Sequence, residues 1–178
     1  MAALPRETTV TLRDGRKARI RPIVPDDAPR LRAFHDRLSL NTTRLRFFTP
    51  MRHLSEEFAR HLCTVDYDKR CAFVLSFPGD DEIHGVGRYE WESPHSAEVA
   101  FVVEDSLQGL GIGKLLLDRL VEHGRRQGFE RFTAVVLCEN DSMLSLFRET
   151  DYAPEITMQG ALAFVKLDIS KVKAPRGL

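Results

Sequence analysis

Val99-Ala100-Phe101-Val102-Val103-Glu104-Asp105-Ser106-Leu107-Gln108-Gly109-Leu110-Gly111-Ile112-Gly113-Lys114 is the stretch on which the fold turns. An apolar run ends at Val103, a short polar link follows, and glycines stand at 109, 111 and 113. Beyond them Ile112, Leu115, Leu116, Leu120 and Val121 recur at three- and four-residue spacing, which predicts an amphipathic helix reaching Gln127. Gly128 stands where a helix-ending glycine belongs. The reading is strand, glycine turn, helix. The first turn of a helix leaves backbone N–H groups unpaired and carries the positive end of the helix dipole. Glycine lets that backbone approach a bulky anion with no Cβ in the way. The combination predicts a phosphate or pyrophosphate cradle. A tight turn without a ligand is the alternative; three alternating glycines at a helix start favour the anion site.

The spacing narrows the ligand. The Walker pattern needs glycine at 108 and Ser or Thr at 115, where the chain has Gln108 and Leu115. The dinucleotide fingerprint fails in both registers, at Lys114 and at Leu116. What fits is Q-x-x-G-x-G, filled by Gln108, Gly111 and Gly113. In this the chain resembles the GCN5-related N-acetyltransferases (GNAT), whose signature turn binds the pyrophosphate of acetyl-CoA.

The rest of the chain is read around that turn. It has 178 residues, enough for one domain, expected over 1–169, with no boundary or linker. Formal net charge is zero, so no global basic field recruits nucleic acid. Residues 1–60 do carry 13 Lys/Arg against 7 Asp/Glu, with 13 against 19 in the remainder, which predicts a solvated basic face. Cys63, Cys71 and Cys138 form no metal or disulfide spacing, and free thiols suggest a reducing, cytoplasmic setting. The histidines show no ligand spacing, so no metal is expected. Met1 to Arg6 lacks the apolar core of a signal peptide, and no segment is apolar enough to span a membrane.

Thr8–Leu12 and Lys17–Arg21 alternate around the hairpin signal Asp14-Gly15. Helices are expected from Pro25-Asp26-Asp27, with Asp26 or Asp27 as cap, from Thr42 to Phe48, and from Ser55 to Cys63. Three strands at Cys71–Phe77, Ile83–Trp91 and Ala97–Val103 are joined by short turns, which predicts an antiparallel meander. The strand Phe132–Leu137 follows the long helix and is therefore parallel to Ala97–Val103. Asp141 or Asn140 caps a further helix, and closing strands fall near Glu155–Met158 and Leu162–Ile169. The polar tail from Ser170 to Leu178 is expected to be disordered. The fold class is α/β (α+β), with a mixed central sheet and flanking helices.

That order is close to the GNAT layout over nearly the whole chain. The resemblance implies that Ala97–Val103 and its parallel neighbour splay apart, with pantetheine in the gap against the backbone of Phe101, Val102 and Val103. It implies that the amides of Gln108, Gly109, Leu110, Gly111, Ile112, Gly113 and Lys114 hold the pyrophosphate, and that Asn140 contacts pantetheine. Leu12-Arg13-Asp14-Gly15, Ile20-Arg21-Pro22, Leu45-Arg46-Phe47-Phe48 and Ala97-Glu98-Val99-Ala100-Phe101 further resemble bacterial protein lysine acetyltransferases, which often modify acyl-CoA synthetases. The chain shows no synthetase-like or cyclic-nucleotide-binding domain of the kind those enzymes frequently carry.

The chemistry needs a base. A lysine amine with pKa ~10.4 is almost wholly protonated at pH 7, a penalty of roughly 4.6 kcal/mol. Glu98 is the acid within the strand Ala97–Val103, and a carboxylate there is costly unless paired or facing a cleft. Burial raises such a pKa toward a useful value. The narrower resemblance puts its general base on the same residue; a Glu paired with an Arg on a solvated face is the alternative. Many family members protonate the leaving thiol with a tyrosine in the helix after Asn140; here that place holds Leu146-Phe147, so no general acid is assigned. Tyr152 reads as core, Cys138 as a small buried thiol, and Arg44 and Arg46 as a solvated helix face, with recognition of substrate or of the CoA 3′-phosphate as the alternative. The expected activity is acetyl transfer from acetyl-CoA to an amine, with a protein lysine first. A small-molecule amine and a non-catalytic acyl-CoA sensor are the alternatives.

Overall fold

The structure, a computed structural model, describes residues 3–171. Two alternating segments, β1 (Thr8–Thr11) and β2 (Lys17–Pro22), pair antiparallel across the Asp14-Gly15 turn. A 3-10 turn at Pro25–Asp27 leads into α1 (Ala28–Asp36), followed by α2 (Leu40–Phe47) and α3 (Glu56–Cys63). The meander is β3 (Arg70–Ser76), β4 (Gly85–Ser93) and β5 (Ser96–Val103). After the glycine turn come α4 (Ile112–Arg126), β6 (Arg131–Leu137), α5 (Asp141–Arg148), β7 (Glu155–Gln159) and β8 (Leu162–Asp168). They form an 8-stranded sheet in the order β1-β2-β3-β4-β5-β6-β8-β7. Neighbours run antiparallel except β5 and β6, which are parallel.

The caps explain where the helices begin. Asp27 occupies the N-cap position of α1 but makes no cap bond, against the expectation for it. Its fully buried carboxylate instead accepts from both Arg21 Nη atoms at 2.8 Å and from the Val24 N–H at 2.9 Å. A two-pronged ionic partner outcompetes one amide for the same oxygens. α2 starts two residues earlier than Thr42 because Ser39 caps it: Ser39 Oγ accepts from the Thr42 N–H at 3.1 Å and donates to Asp105 at 2.7 Å. Ser55 caps α3 in the same way, accepting from the Phe58 N–H at 3.1 Å. α4 ends as its glycine predicts. Gly128 takes φ 90, its N–H donates to Arg125 O at 3.1 Å, and the Phe129 N–H donates to Gly124 O at 3.0 Å. Near Tyr152 the left-handed residue is Ala153.

The sheet carries a core on each face. Cys71, Phe73 and Leu75 of β3 point to the side covered by α4 and α5, while Ala72 and Val74 point to α1 and α3. This two-sided burial is why β3 reads as an unbroken apolar run. Ile112, Leu116, Leu117, Leu120 and Val121 of α4 are all buried, each such side chain contributing about 1.5–3 kcal/mol. The helix lies close on the strands. A Cβ at Gly87 would come within 3.0 Å of Leu116 Cβ, and one at Gly124 within 2.7 Å of Phe132 Cζ. Of the tail, positions 172–178 lie outside the described residues, while Ser170 donates twice to Asp168 Oδ1, at 2.9 and 2.6 Å. Among the described residues no helix is long and apolar enough to cross a membrane.

Candidate active site

The parallel pair fails early. β5 pairs with β6 at Ser96, Ala97 and Glu98, matched to Arg131, Phe132 and Thr133. Beyond Glu98 the two strands part. β5 stays in register with β4 as far as Val103 against Gly85, and β6 stays in register with β8 as far as Leu137 against Leu162. Each strand is therefore held by its outer neighbour while its inner edge is unpaired. Buried backbone groups demand partners, so an open inner edge is a site for a ligand that carries amides. A cleft of about 520 Å³ occupies the gap.

The glycine turn closes one end of it. Gly109 and Gly111 both take φ 84, and Gly111 is the N-cap of α4 with no side chain to cap anything. Among the described residues, no carbonyl or side chain accepts from the backbone N–H groups of Gly109 to Lys114. These are the orphan amides of a helix start, extended backward through the turn. Gly113 sits against α5, where a Cβ would lie 3.3 Å from Leu146 Cδ2. A row of donors at a positive helix end, with no Cβ in front, fits a diphosphate.

The expected coenzyme residues come together with one exception. Phe101, Val102, Val103, Gln108, Gly109, Gly111, Ile112, Gly113, Lys114 and Asn140 all line the cleft, and Leu110 does not. Leu110 packs its side chain on the core. Gln108 donates from Nε2 to Val103 O at 3.2 Å, tying the turn to the end of β5. Asn140 caps α5, its Oδ1 accepting from the Met143 N–H at 3.3 Å, so its amide NH₂ is the half left to face the cleft. The Lys114 ammonium is engaged with Asp118 at 2.7 Å, which leaves its backbone N–H as the group offered to a ligand.

Glu98 lines the same cleft at the point where the strands part. The side chain is exposed, more open than a central strand position suggests, although the backbone here is paired on both sides, to Glu90 and to Thr133. Its pKa is raised, first by partial desolvation against the cleft wall and then by Glu92 and Glu90, with Arg46 opposing. Glu92 is fixed by Ser96 Oγ at 2.6 Å and Thr133 Oγ1 at 3.2 Å. Arg46 departs from the solvated face expected of it. It is half-buried, lines the cleft and holds its guanidinium 4.7 Å from the Phe47 ring centre, and burial lowers its pKa. Arg44 reaches across from α2 to Glu139 at 2.7 Å, joining the two lips.

The remaining candidates fall elsewhere. Phe147 is buried edge-on against Phe101 with ring centres 6.2 Å apart, and the hydroxyls that line the cleft from α5 are those of Ser142 and Ser145. Tyr152 is buried and donates to Asp118 at 2.6 Å. Cys138 is half-buried rather than buried, its thiol donating toward Met158 Sδ at 3.4 Å. Asp80, Glu82 and His84 bring ligand-type atoms within 4.8 Å of one another, which the spacing did not signal. The His84 ring nitrogens are already engaged by Glu104 at 2.7 Å and Asp80 at 3.1 Å, and none of the three residues lines the cleft. Arg13 was also missed. It lines the cleft from the β1–β2 turn.

Comparison with known proteins agrees with this arrangement. The model of the Acetyltransferase (GNAT) family matches residues 32–152. An acetyltransferase of Pseudomonas aeruginosa is 32% identical over 139 residues, covering 76% of this chain and 75% of that protein. The acetyltransferase Pat of Mycolicibacterium smegmatis is 30% identical over 145 residues, covering 80% of this chain but 43% of that longer protein. The crystal structure of the GNAT domain of S. lividans PAT superimposes with a TM-score of 0.84 at 32% identity, over 91% of this chain and 96% of that one.

Proposed function

The chain belongs to the acetyltransferase (GNAT) family, and on that premise we propose that Glu98 serves as general base for transfer of an acetyl group to a protein lysine. The family uses acetyl-CoA, and the residues present suit it: an unpaired strand edge for pantetheine and a row of unpartnered amides for the diphosphate. Bound acetyl-CoA supplies the activated thioester. The single observation that carries the reading is the position of Glu98 at the fork between β5 and β6, on the wall shared with that coenzyme slot.

The residues then divide the work. The backbone from Gly109 to Lys114 neutralises the diphosphate and fixes the coenzyme's length along the slot. Phe101, Val102 and Val103 hold pantetheine on the free edge of β5, and Asn140 steadies it from the opposite lip. Glu98 takes the proton from the incoming ammonium, directly or through a water, and a positioned base of this kind contributes about 10²- to 10⁴-fold. Its raised pKa makes it the stronger acceptor. A thiol is acidic enough, at about 8.5 for cysteine, to leave as thiolate, so no residue is assigned as general acid. A lysine acceptor is favoured by the similarity to Pat, and residues 1–169 act as one catalytic domain.

The missing tyrosine hydroxyl at Phe147 favours a second reading, a non-catalytic acyl-CoA sensor. Calorimetry with acetyl-CoA, joined to a thiol-release assay over lysine peptides and small amines, separates the two. Acceptor-dependent thiol release that falls at least tenfold in Glu98→Gln, with coenzyme affinity kept, is the expected result. Coenzyme binding with no acceptor-dependent release assigns the sensor.

A further inference from the structure

We propose that Arg13, in the turn between β1 and β2, is a phosphate-binding residue of the coenzyme site. The inference rests on the coenzyme reading above and adds a side chain from a distant part of the sequence. Arg13 stands 96 residues from Gly109, yet two bonds fasten it to the glycine turn. Its backbone N–H donates to Leu110 O at 3.1 Å, and its Nη1 reaches Gly109 O at 3.4 Å. Its side chain lies across Gly111, where a Cβ would meet Arg13 Nε at 3.3 Å and Cγ at 3.5 Å. Glycine at 111 therefore serves two ends: the left-handed turn, and the room in which the arginine stem lies.

The charge is available. The adjacent carboxylate, Asp14, is taken by Arg16 at 2.7 Å, and among the described residues no carboxylate pairs with Arg13. An exposed guanidinium bound to one carbonyl at long range keeps most of its donors unused. It lies beside the unpartnered amides of Gly109 to Lys114 and lines the same cleft. The amides offer dipoles and the guanidinium offers a full charge in a fork suited to phosphate oxygens. The backbone bond ties the hairpin to the turn, and the stem over Gly111 with the Nη1 bond to Gly109 O keeps the guanidinium beside it.

The coenzyme carries two phosphate groups that this residue could meet, the diphosphate and the 3′-phosphate. Titration of CoA and of 3′-dephospho-CoA into the wild-type chain, Arg13→Ala and Arg13→Gln, followed by calorimetry, tests the assignment. Arg13→Gln keeps a stem over Gly111 and removes the charge, so the comparison stands even where the alanine variant folds poorly. Each variant is expected to bind CoA about tenfold more weakly, the scale of one exposed charge-assisted contact. An equal loss with 3′-dephospho-CoA assigns the diphosphate, and a loss confined to CoA assigns the 3′-phosphate. Unchanged affinity for both ligands in both variants overturns the proposal. A wild-type chain that binds neither ligand sinks the coenzyme reading itself, a separate outcome.

Discussion

Asp27 and Glu98 are two carboxylates beside strands of one sheet, and the protein treats them in opposite ways. Asp27 is fully buried, gripped by Arg21 through two bonds of 2.8 Å and by the Val24 amide. Burial pushes its pKa up, but those hydrogen bonds and the charges of Arg21 and Arg30 outweigh it, and the net direction is down. Glu98 is partly desolvated at the cleft wall and has Glu92 and Glu90 nearby, with Arg46 opposing, and its pKa goes up. A carboxylate that is satisfied by the fold contributes to stability and has no lone pair for a substrate. One left with like-charged neighbours at the mouth of a cleft is basic and accessible. The contrast is the one expected between a structural acid and the base proposed for Glu98.

Exchange of each acid for its amide is the most direct way to break that contrast. Glu98→Gln is expected to lower turnover at least tenfold, toward the 10²- to 10⁴-fold span of positioned bases, with the melting temperature unmoved. A fall in melting temperature to match the fall in rate would place Glu98 with the structural acids. Asp27→Asn should do the reverse. It leaves Arg21 without its ionic partner, and because that guanidinium is partly exposed the loss is expected near 2–3 kcal/mol rather than the 3–5 of a sealed pair. Thermal unfolding should then shift by roughly 5–10 °C, with turnover at a permissive temperature retained.

Acid sharpens the same distinction. Asp27 has a folded pKa below its unfolded one, so its contribution to stability is present above the unfolded value and is lost as pH falls through the folded value. Equilibrium unfolding of wild type and Asp27→Asn should therefore converge at low pH. Glu98 must be ionised to accept a proton, so kcat/KM should climb as pH rises through its raised pKa. Glu92→Gln removes a charge that raises that pKa and should move the climb to lower pH, while Arg46→Gln removes an opposing charge and should move it to higher pH. Shifts in the opposite sense would mean that the titrating group is another residue. The smallest effect is expected at Glu139, an exposed carboxylate paired with Arg44 across the cleft. Glu139→Gln should change stability by no more than about 1 kcal/mol in denaturant unfolding.

What the sequence disclosed follows from the range of the interactions. The strand, the glycine turn and the α4 helix are legible because turn chemistry and apolar spacing are local, and the Gly128 ending is local too. Element order then carries the sheet, since short turns force the meander and a helical crossover forces one parallel pair. Asp27 holds the cap position but not the cap bond expected of it, because its partner, Arg21, stands on another element. Arg46 was misread as solvated because only the tertiary fold lays α2 over β5. Arg13 carries no periodicity or spacing of its own, and its role depends on a hairpin meeting a turn 96 residues away. Leu110 illustrates the reverse: a motif names consecutive residues, but this one turns its side chain to the core and does not line the slot.

The glycines at the contact between α4 and the sheet have an effect at a distance from themselves. With Gly87 under Leu116 and Gly124 on Phe132, the helix rests on the sheet with no slack along its length. A rod seated this closely is expected to act as a lever: a methyl group added at Gly124, against Phe132, lifts that end and tips the other, where the amides of the glycine turn face the cleft. On the function proposed above, Gly124→Ala is expected to weaken coenzyme binding in a calorimetric titration, although Gly124 does not line the cleft.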